Sequence, residues 1–214
     1  MVPRCQKTAL GNFIGIIFNI TIAINRKSVI INLAEEFIME TIVIYKTKYG
    51  STKTYAEWIA EELGCEAVDA KNVKPDDLLN YDTIIYGGGL YAEVINGVSL
   101  ITKNIDKLRD KKIIIYTTGI TPADVTEYYN GEVIERNFKK GVPENVKIFN
   151  FLGRMVQSEL SSVHKMALVS LKKIMSKKEN PSDMVKLLIE LCDADGDFSD
   201  RNSIAPLVEY AKEK

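Results

Sequence analysis

Thr47-Lys48-Tyr49-Gly50-Ser51-Thr52-Lys53 sets three aliphatic hydroxyls around one glycine, with lysines at two of its flanking positions. That mixture suits an anion better than a plain reversal of the chain. The first amides of a helix have no carbonyl partners, and the helix dipole adds partial positive charge beside them. A phosphate placed there accepts several backbone hydrogen bonds. Gly50 lets the backbone curl closely, Thr47, Ser51 and Thr52 add hydroxyls, Tyr49 adds its amide, and Lys48 and Lys53 add charge. The spacing is neither G-x-x-x-x-G-K nor G-x-G-x-x-G. The plainer alternative is Ser51 as a helix N-cap with its neighbours incidental.

The elements around this stretch give it a place. TIVIYK (41–46) is a β-branched run suited to a strand buried on both faces. Helical spacing follows, with Tyr55, Ile59 and Leu63 at four-residue intervals, and Gly64 stands where a left-handed cap belongs. CEAVDA (65–70) reads as a short strand and PDDLLNY (75–81) as a short helix or turn. DTIIYGGG (82–89) is a strand running into glycines, 98–108 a helix, and KKIIIYTTG (111–119) a strand ending in a polar turn. Pro122 opens a helix toward Arg136, and NVKIFNFLG (145–153) is a fifth strand. Helical patterns then cover 159–176, 182–191 and 203–213.

Strands alternating with helices imply a parallel sheet covered on both faces. Ligands of open sheets of this kind sit beyond the carboxyl ends of the strands. The turn 47–53, the stretch GGGLYAEVING (87–97) and the stretch TTGITPAD (117–124) all follow strong strands, so they are expected to meet in one crevice.

The chain has 214 residues, a formal net charge of −1 and three cysteines, Cys5, Cys65 and Cys192, far apart in sequence. Nothing in that balance points to nucleic acid, and no metal-ligand spacing or disulfide framework is present. A reduced, cytoplasmic setting is expected. The apolar run GNFIGIIFNITIAI (11–24) carries Asn12, Asn19 and Thr21 and is shorter than the ~20 residues a spanning helix needs. We read residues 1–38 as an extension upstream of the true start at Met39, with a membrane anchor as the alternative, and 39–214 as one domain.

T-x-x-G-x-T after the first strand, opening the first helix, resembles the phosphate loop of flavodoxin-like FMN proteins. The usual form there is T/S-x-T-G-x-T, so Tyr49 replaces a hydroxyl donor while keeping its amide. The resemblance implies a three-layer α/β sandwich, with a five-stranded parallel sheet of order 2-1-3-4-5 and helices on both faces. It also implies one FMN. Its phosphate is expected on Thr47, Lys48, Tyr49, Gly50, Ser51, Thr52 and Lys53. Its ring is expected between Gly88, Gly89, Leu90 and Tyr91 on one side and Thr117, Thr118 and Gly119 on the other, with Gly87 allowing close approach. The alternative for the glycines is turn geometry, and for Tyr91 surface packing. In such a protein the flavin carries the redox chemistry, so no reactive side chain is expected.

Within this family the chain resembles the menaquinone-dependent protoporphyrinogen dehydrogenases of heme biosynthesis. The resemblance rests on the phosphate loop, the glycine-rich stretch, the basic segment after FNFLGRM and the ending DFSDRNSIAPLVEYA (197–211). It implies oxidation of protoporphyrinogen, with a quinone as acceptor. Tyr91-Ala92-Glu93 departs from the basic, aromatic-rich continuation of that group. The alternatives are a soluble electron carrier and a flavin-free binding module of the same fold.

LSSVHKMALVSLKKIMSKK (160–178) puts His164, Leu168, Leu171 and Met175 on one side of a helix and most of its lysines on the other. Such a segment suits an anionic membrane surface, and equally a core-packing helix with a solvated lysine face. DADGDFSD (193–200) fails as a calcium loop, since Phe198 stands where glycine is needed and Ile204 where a glutamate is needed. Asp200 or Ser203 as a helix cap explains it more simply. His164, the sole histidine, lacks the partners of a hydrolytic triad, and Trp58 reads as helix packing.

Overall fold

The computed structural model describes residues 40–213, so the expectations for residues 1–38 lie outside the described residues. Strands β1 (Thr41–Lys46), β2 (Ala67–Asp69), β3 (Thr83–Tyr91), β4 (Lys112–Gly119) and β5 (Val146–Leu152) form a parallel sheet in the order β2-β1-β3-β4-β5. This is the expected order. The short strand Val94–Ile95 adds to β3 antiparallel, through a hairpin.

β1, β3 and β4 are apolar on both faces because helices cover both. On one face, helix α1 (Ser51–Leu63) buries Tyr55, Ala56, Ile59, Ala60 and Leu63 against Val43, Ile85, Ile114 and Tyr116. Leu207 and Val208, of the last helix (Ala205–Lys212), close that layer. On the other face Leu78, Ile101, Leu108, Tyr129 and Val133 cover Ile42, Ile44, Ile84 and Ile113. α1 ends at Gly64, whose φ of 69° is the left-handed cap expected there. Trp58 packs edge-on to Tyr55, with ring centroids 5.1 Å apart.

Three local expectations and one alternative need correction. β3 runs through Gly87–Gly89, as expected for 82–89, but continues to Tyr91, so the chain turns only at Ala92. The helix expected over 98–108 is a single turn, Ser99–Thr102, followed by a 3₁₀ turn, Ile105–Leu108. The helix expected from Pro122 begins only at Thr126, and it widens into a π-turn over Tyr129–Val133. Ser51 is not the N-cap of α1: Gly50 is, at φ 102°, and no side chain caps the helix.

Between β5 and the last helix the chain makes an excursion. Arg154–Met155 pairs antiparallel with Gly196–Asp197 at its base. Gln157 fastens the two limbs, its amide donating to Asp195 and its side chain to the carbonyls of Cys192 and Ala194. Beyond that base stand helices α2 (Ser162–Met175) and α3 (Asp183–Leu191). Leu160, Met175 and Cys192 are buried here, and Met184 and Leu188 pack onto the sheet's core. Asp200 accepts from the Asn202 amide and caps the turn before the last helix. Among the described residues no helix is long and apolar enough to cross a membrane.

Candidate functional site

Four chain segments converge at the carboxyl ends of the strands: the loop after β1, the ends of β3 and β4, and the start of the excursion after β5. Their contacts are specific. The Thr52 and Thr118 hydroxyls lie 2.8 Å apart, and Thr52 is 2% exposed. The Thr117 hydroxyl donates to Asn150 Oδ1 at 2.7 Å. Leu90 lies against Gly119, at 3.5 Å from where a Cβ would stand. Three stretches far apart in sequence are therefore brought together.

The loop itself is shaped around a glycine. The Gly50 amide donates to Thr47 Oγ1 at 2.9 Å, while its carbonyl accepts the amides of Lys53 and Thr54. Gly50 has a φ of 102° that side-chain-bearing residues rarely adopt, and a Cβ there would meet nothing within 4 Å. With no side-chain cap, the Ser51 and Thr52 amides are the donors left at the start of α1, beside the positive end of its dipole. Ser51 Oγ accepts the Arg154 amide at 2.8 Å. Lys53 turns along the helix to Glu57, 3.5 Å away, and so stands apart from the loop's charge.

The glycines of β3 serve the protein's own packing. A Cβ on Gly87 would fall 2.0 Å from the Tyr116 ring, and one on Gly88 would fall 2.6 Å from Ile95. The space at Gly89 is taken by the ring of Tyr91, 3.1 Å away. After Tyr91 the chain turns through Ala92 and Glu93, at φ 47° and 62°. Paired left-handed residues are what a two-residue hairpin of type I′ requires, usually met by asparagine and glycine. Asn137 holds this strained tip. Its Oδ1 accepts the Ile95 amide at 2.9 Å, and its Nδ2 donates to the carbonyls of Glu93 at 2.6 Å and Val133 at 2.7 Å.

Three further residues lie at the site, although the sequence motifs assign none of them to it. The Arg154 guanidinium donates to the Tyr49 carbonyl at 3.3 Å and makes a two-pronged bond to Glu159 at 2.5 and 2.8 Å. That bond holds the Glu159 carboxyl below its ordinary range. Arg154 follows β5 directly, and the strand-end rule that located the other loops would also have located it. Ser161 caps α2 and gives its amide to the Tyr49 phenol at 3.3 Å. His164 Nδ1 lies 2.8 Å from the same phenol, and Lys48 Nζ lies 3.3 Å from Nε2.

Tyr49 is thus turned toward the excursion, away from its own loop. Burial opposes ionisation of its phenol, but the bonds from Ser161 and the charge of Lys48 outweigh it and lower the pKa. Burial pushes the Tyr91 phenol up to about 12, with Tyr49 adding to the effect. Uncapped amides, hydroxyls and the Lys48 ammonium give the site the means to hold a phosphate, while the Arg154 guanidinium is taken up by Glu159, Asp197 and the Tyr49 carbonyl.

The chain is similar to several known proteins. A protein of Methanocaldococcus jannaschii, itself uncharacterized, is 32% identical over 87 residues, or 39% of this chain and 57% of that protein. The match thus spans little more than half of that relative's length. Among solved structures, a flavodoxin from the domain Archaea is 15% identical, covering 81% of this chain and 99% of its own, with a TM-score of 0.37. The two-electron reduced flavodoxin of Megasphaera elsdenii is 15% identical, covering 72% and 99%, with a TM-score of 0.39. A family model for the flavodoxin domain matches residues 42–184, two thirds of the chain, and the protein belongs to that family.

Proposed function

We propose that this protein is a redox protein of flavodoxin type that binds one FMN at the convergence of the β1, β3 and β4 strand ends. The observation that carries the reading is the loop at Gly50, whose left-handed turn and open space lead into an uncapped helix. These residues fit a phosphate monoester. The Ser51 and Thr52 amides and the hydroxyls of Thr47, Ser51 and Thr52 supply donors, and Lys48 supplies charge. Tyr91, Leu90 and Thr117–Gly119 would border the ring. Bound flavin supplies the electron-accepting and electron-donating chemistry. The chain's own part is to hold the phosphate, orient the ring and limit water.

The test is reconstitution of the purified protein with FMN and with riboflavin, followed by visible absorbance and fluorescence quenching. Tight FMN binding with much weaker riboflavin binding is expected. A protein that takes up neither is a flavin-free module, and the redox reading is lost.

A narrower reading makes it an enzyme that oxidises protoporphyrinogen and passes the electrons to a quinone at a membrane surface. Its support is the resemblance in sequence, together with helix α2, which leaves Val163, Met166, Val169 and Ile174 exposed near several lysines. On this reading the protein is cytoplasmic and touches the inner face of the membrane through α2. Anaerobic assay with protoporphyrinogen and a menaquinone analogue separates it from a soluble carrier, which reduces and reoxidises without consuming the porphyrinogen.

A further inference from the structure

His164 is the only histidine in the chain, and it stands where three parts of the molecule meet. Its helix, α2, belongs to the excursion after β5. Its ring touches Lys48 and Tyr49 of the loop after β1, and its centroid lies 5.3 Å from that of Tyr91 at the end of β3. Tyr49 and Tyr91 are themselves 6.3 Å apart, centroid to centroid. The three rings form a closed aromatic group across two of the proposed cofactor loops.

Hydrogen-bond logic assigns the state of the imidazole. A lysine ammonium has only donors, so Nε2 must accept from Lys48. The single proton of the neutral ring is then on Nδ1, where it donates to the Tyr49 phenol oxygen. A protonated ring has no lone pair for Lys48, and it places two cations side by side. The arrangement therefore exists only with a neutral ring.

We propose that His164 is a positioning residue that bridges Lys48 and Tyr49 to Tyr91, and that protonation of its ring releases the bridge. This rests on the FMN reading for its effect on the cofactor, but not for the bridge itself. The groups facing the imidazole are Lys48 and Tyr49 from the loop and Tyr91 from β3. Arg154 and Glu159 pair with each other beyond Tyr49. Among the described residues no carboxylate bonds to the ring, so nothing offsets Lys48. Burial, and then the Lys48 charge, hold the His164 pKa below its ordinary value. The sign follows from that depression. The bridge is complete above the ordinary histidine range and is lost as pH falls through the lowered value.

The sole histidine makes the test direct, since the ring nitrogens give one set of NMR signals in the untagged, histidine-labelled apoprotein. A neutral Nδ1–H tautomer that titrates below the ordinary range is expected. Lys48→Met should raise the midpoint, and Tyr49→Phe should mix the tautomers while circular dichroism stays unchanged. An ordinary midpoint that neither variant moves would overturn the bridge. On the cofactor, FMN release should quicken about tenfold on acidification, the scale of one hydrogen bond to a charged group. His164→Gln should release FMN slowly at every pH and His164→Ala quickly at every pH. Identical release from all three proteins would overturn the positioning role. If the parent takes up no FMN, the redox reading fails, and the imidazole titration alone decides the bridge.

Discussion

The ring of Tyr116 occupies the space that a side chain on Gly87 would need, with its Cζ 2.0 Å from the position of a Cβ. Both residues are buried in the sheet, and the Tyr116 hydroxyl donates to the Thr52 carbonyl at 2.8 Å, in the first turn of α1. A β3 glycine thus admits a β4 ring that supports the helix carrying the proposed phosphate site.

Gly87→Ala should therefore destabilise the fold by about 1–3 kcal/mol, the usual cost of overpacking a filled core. It should also weaken FMN binding, because the displaced ring loses its hold on α1. Urea denaturation measures the first effect and FMN titration the second. A variant as stable as the parent would show that the ring does not need that space.

Thr52→Ala should weaken FMN binding by about tenfold, as expected for one bond to a charged oxygen. Riboflavin, which lacks the phosphate, should bind as before. Thr52→Ser should restore most of the loss, because its hydroxyl can still reach Thr118 and the phosphate. Unchanged FMN affinity in Thr52→Ala would refute the placement of the phosphate on this helix.

Asn137→Ala removes three hydrogen bonds, two of which hold a hairpin with two left-handed, non-glycine residues. Amide exchange over 91–96 should quicken, with a global loss of about 1–3 kcal/mol for the polar groups left without partners. Adding Glu93→Gly should recover part of it by relieving strain at φ 62°. Slow exchange in Asn137→Ala would show that the turn holds itself.

These three sites show what the sequence could reveal. β1, β3, β4 and the first helix were plain because their signals are local: continuous β-branched runs, a four-residue apolar period and Gly64 at its end. Strand order followed from the family resemblance, and the site's location from the rule that ligands sit beyond strand ends. The role of Gly87 was hidden because a glycine reads as a break in the chain, while the ring that needs it comes from another strand. Tyr49 looked like a lost phosphate donor. Its partner His164 is 115 residues away, and no pattern in either segment points to the other. Asn137 was equally silent, since its three bonds reach 42, 44 and four residues along the chain.

Helix α2 carries the last prediction. His164, Leu168 and Met175 face inward as the periodicity suggested, but Leu171, expected beside them, is 45% exposed, and the outer side carries apolar residues as well as lysines. Val163, Met166, Val169 and Ile174 are 67%, 64%, 67% and 66% exposed, and Lys165, Lys173 and Lys177 are exposed along the same segment. Apolar side chains interleaved with cations match the boundary between anionic headgroups and acyl chains. Each lysine there contributes about 1 kcal/mol near an anionic surface. The protein should therefore sediment with vesicles containing anionic phospholipid, and less with purely zwitterionic ones. Met166→Asp combined with Ile174→Asp should abolish that binding and leave FMN affinity unchanged, since neither side chain is turned toward the site. Binding that survives the double substitution, or is absent in the parent, would remove the membrane from the proposed function while leaving the flavin site as it stands.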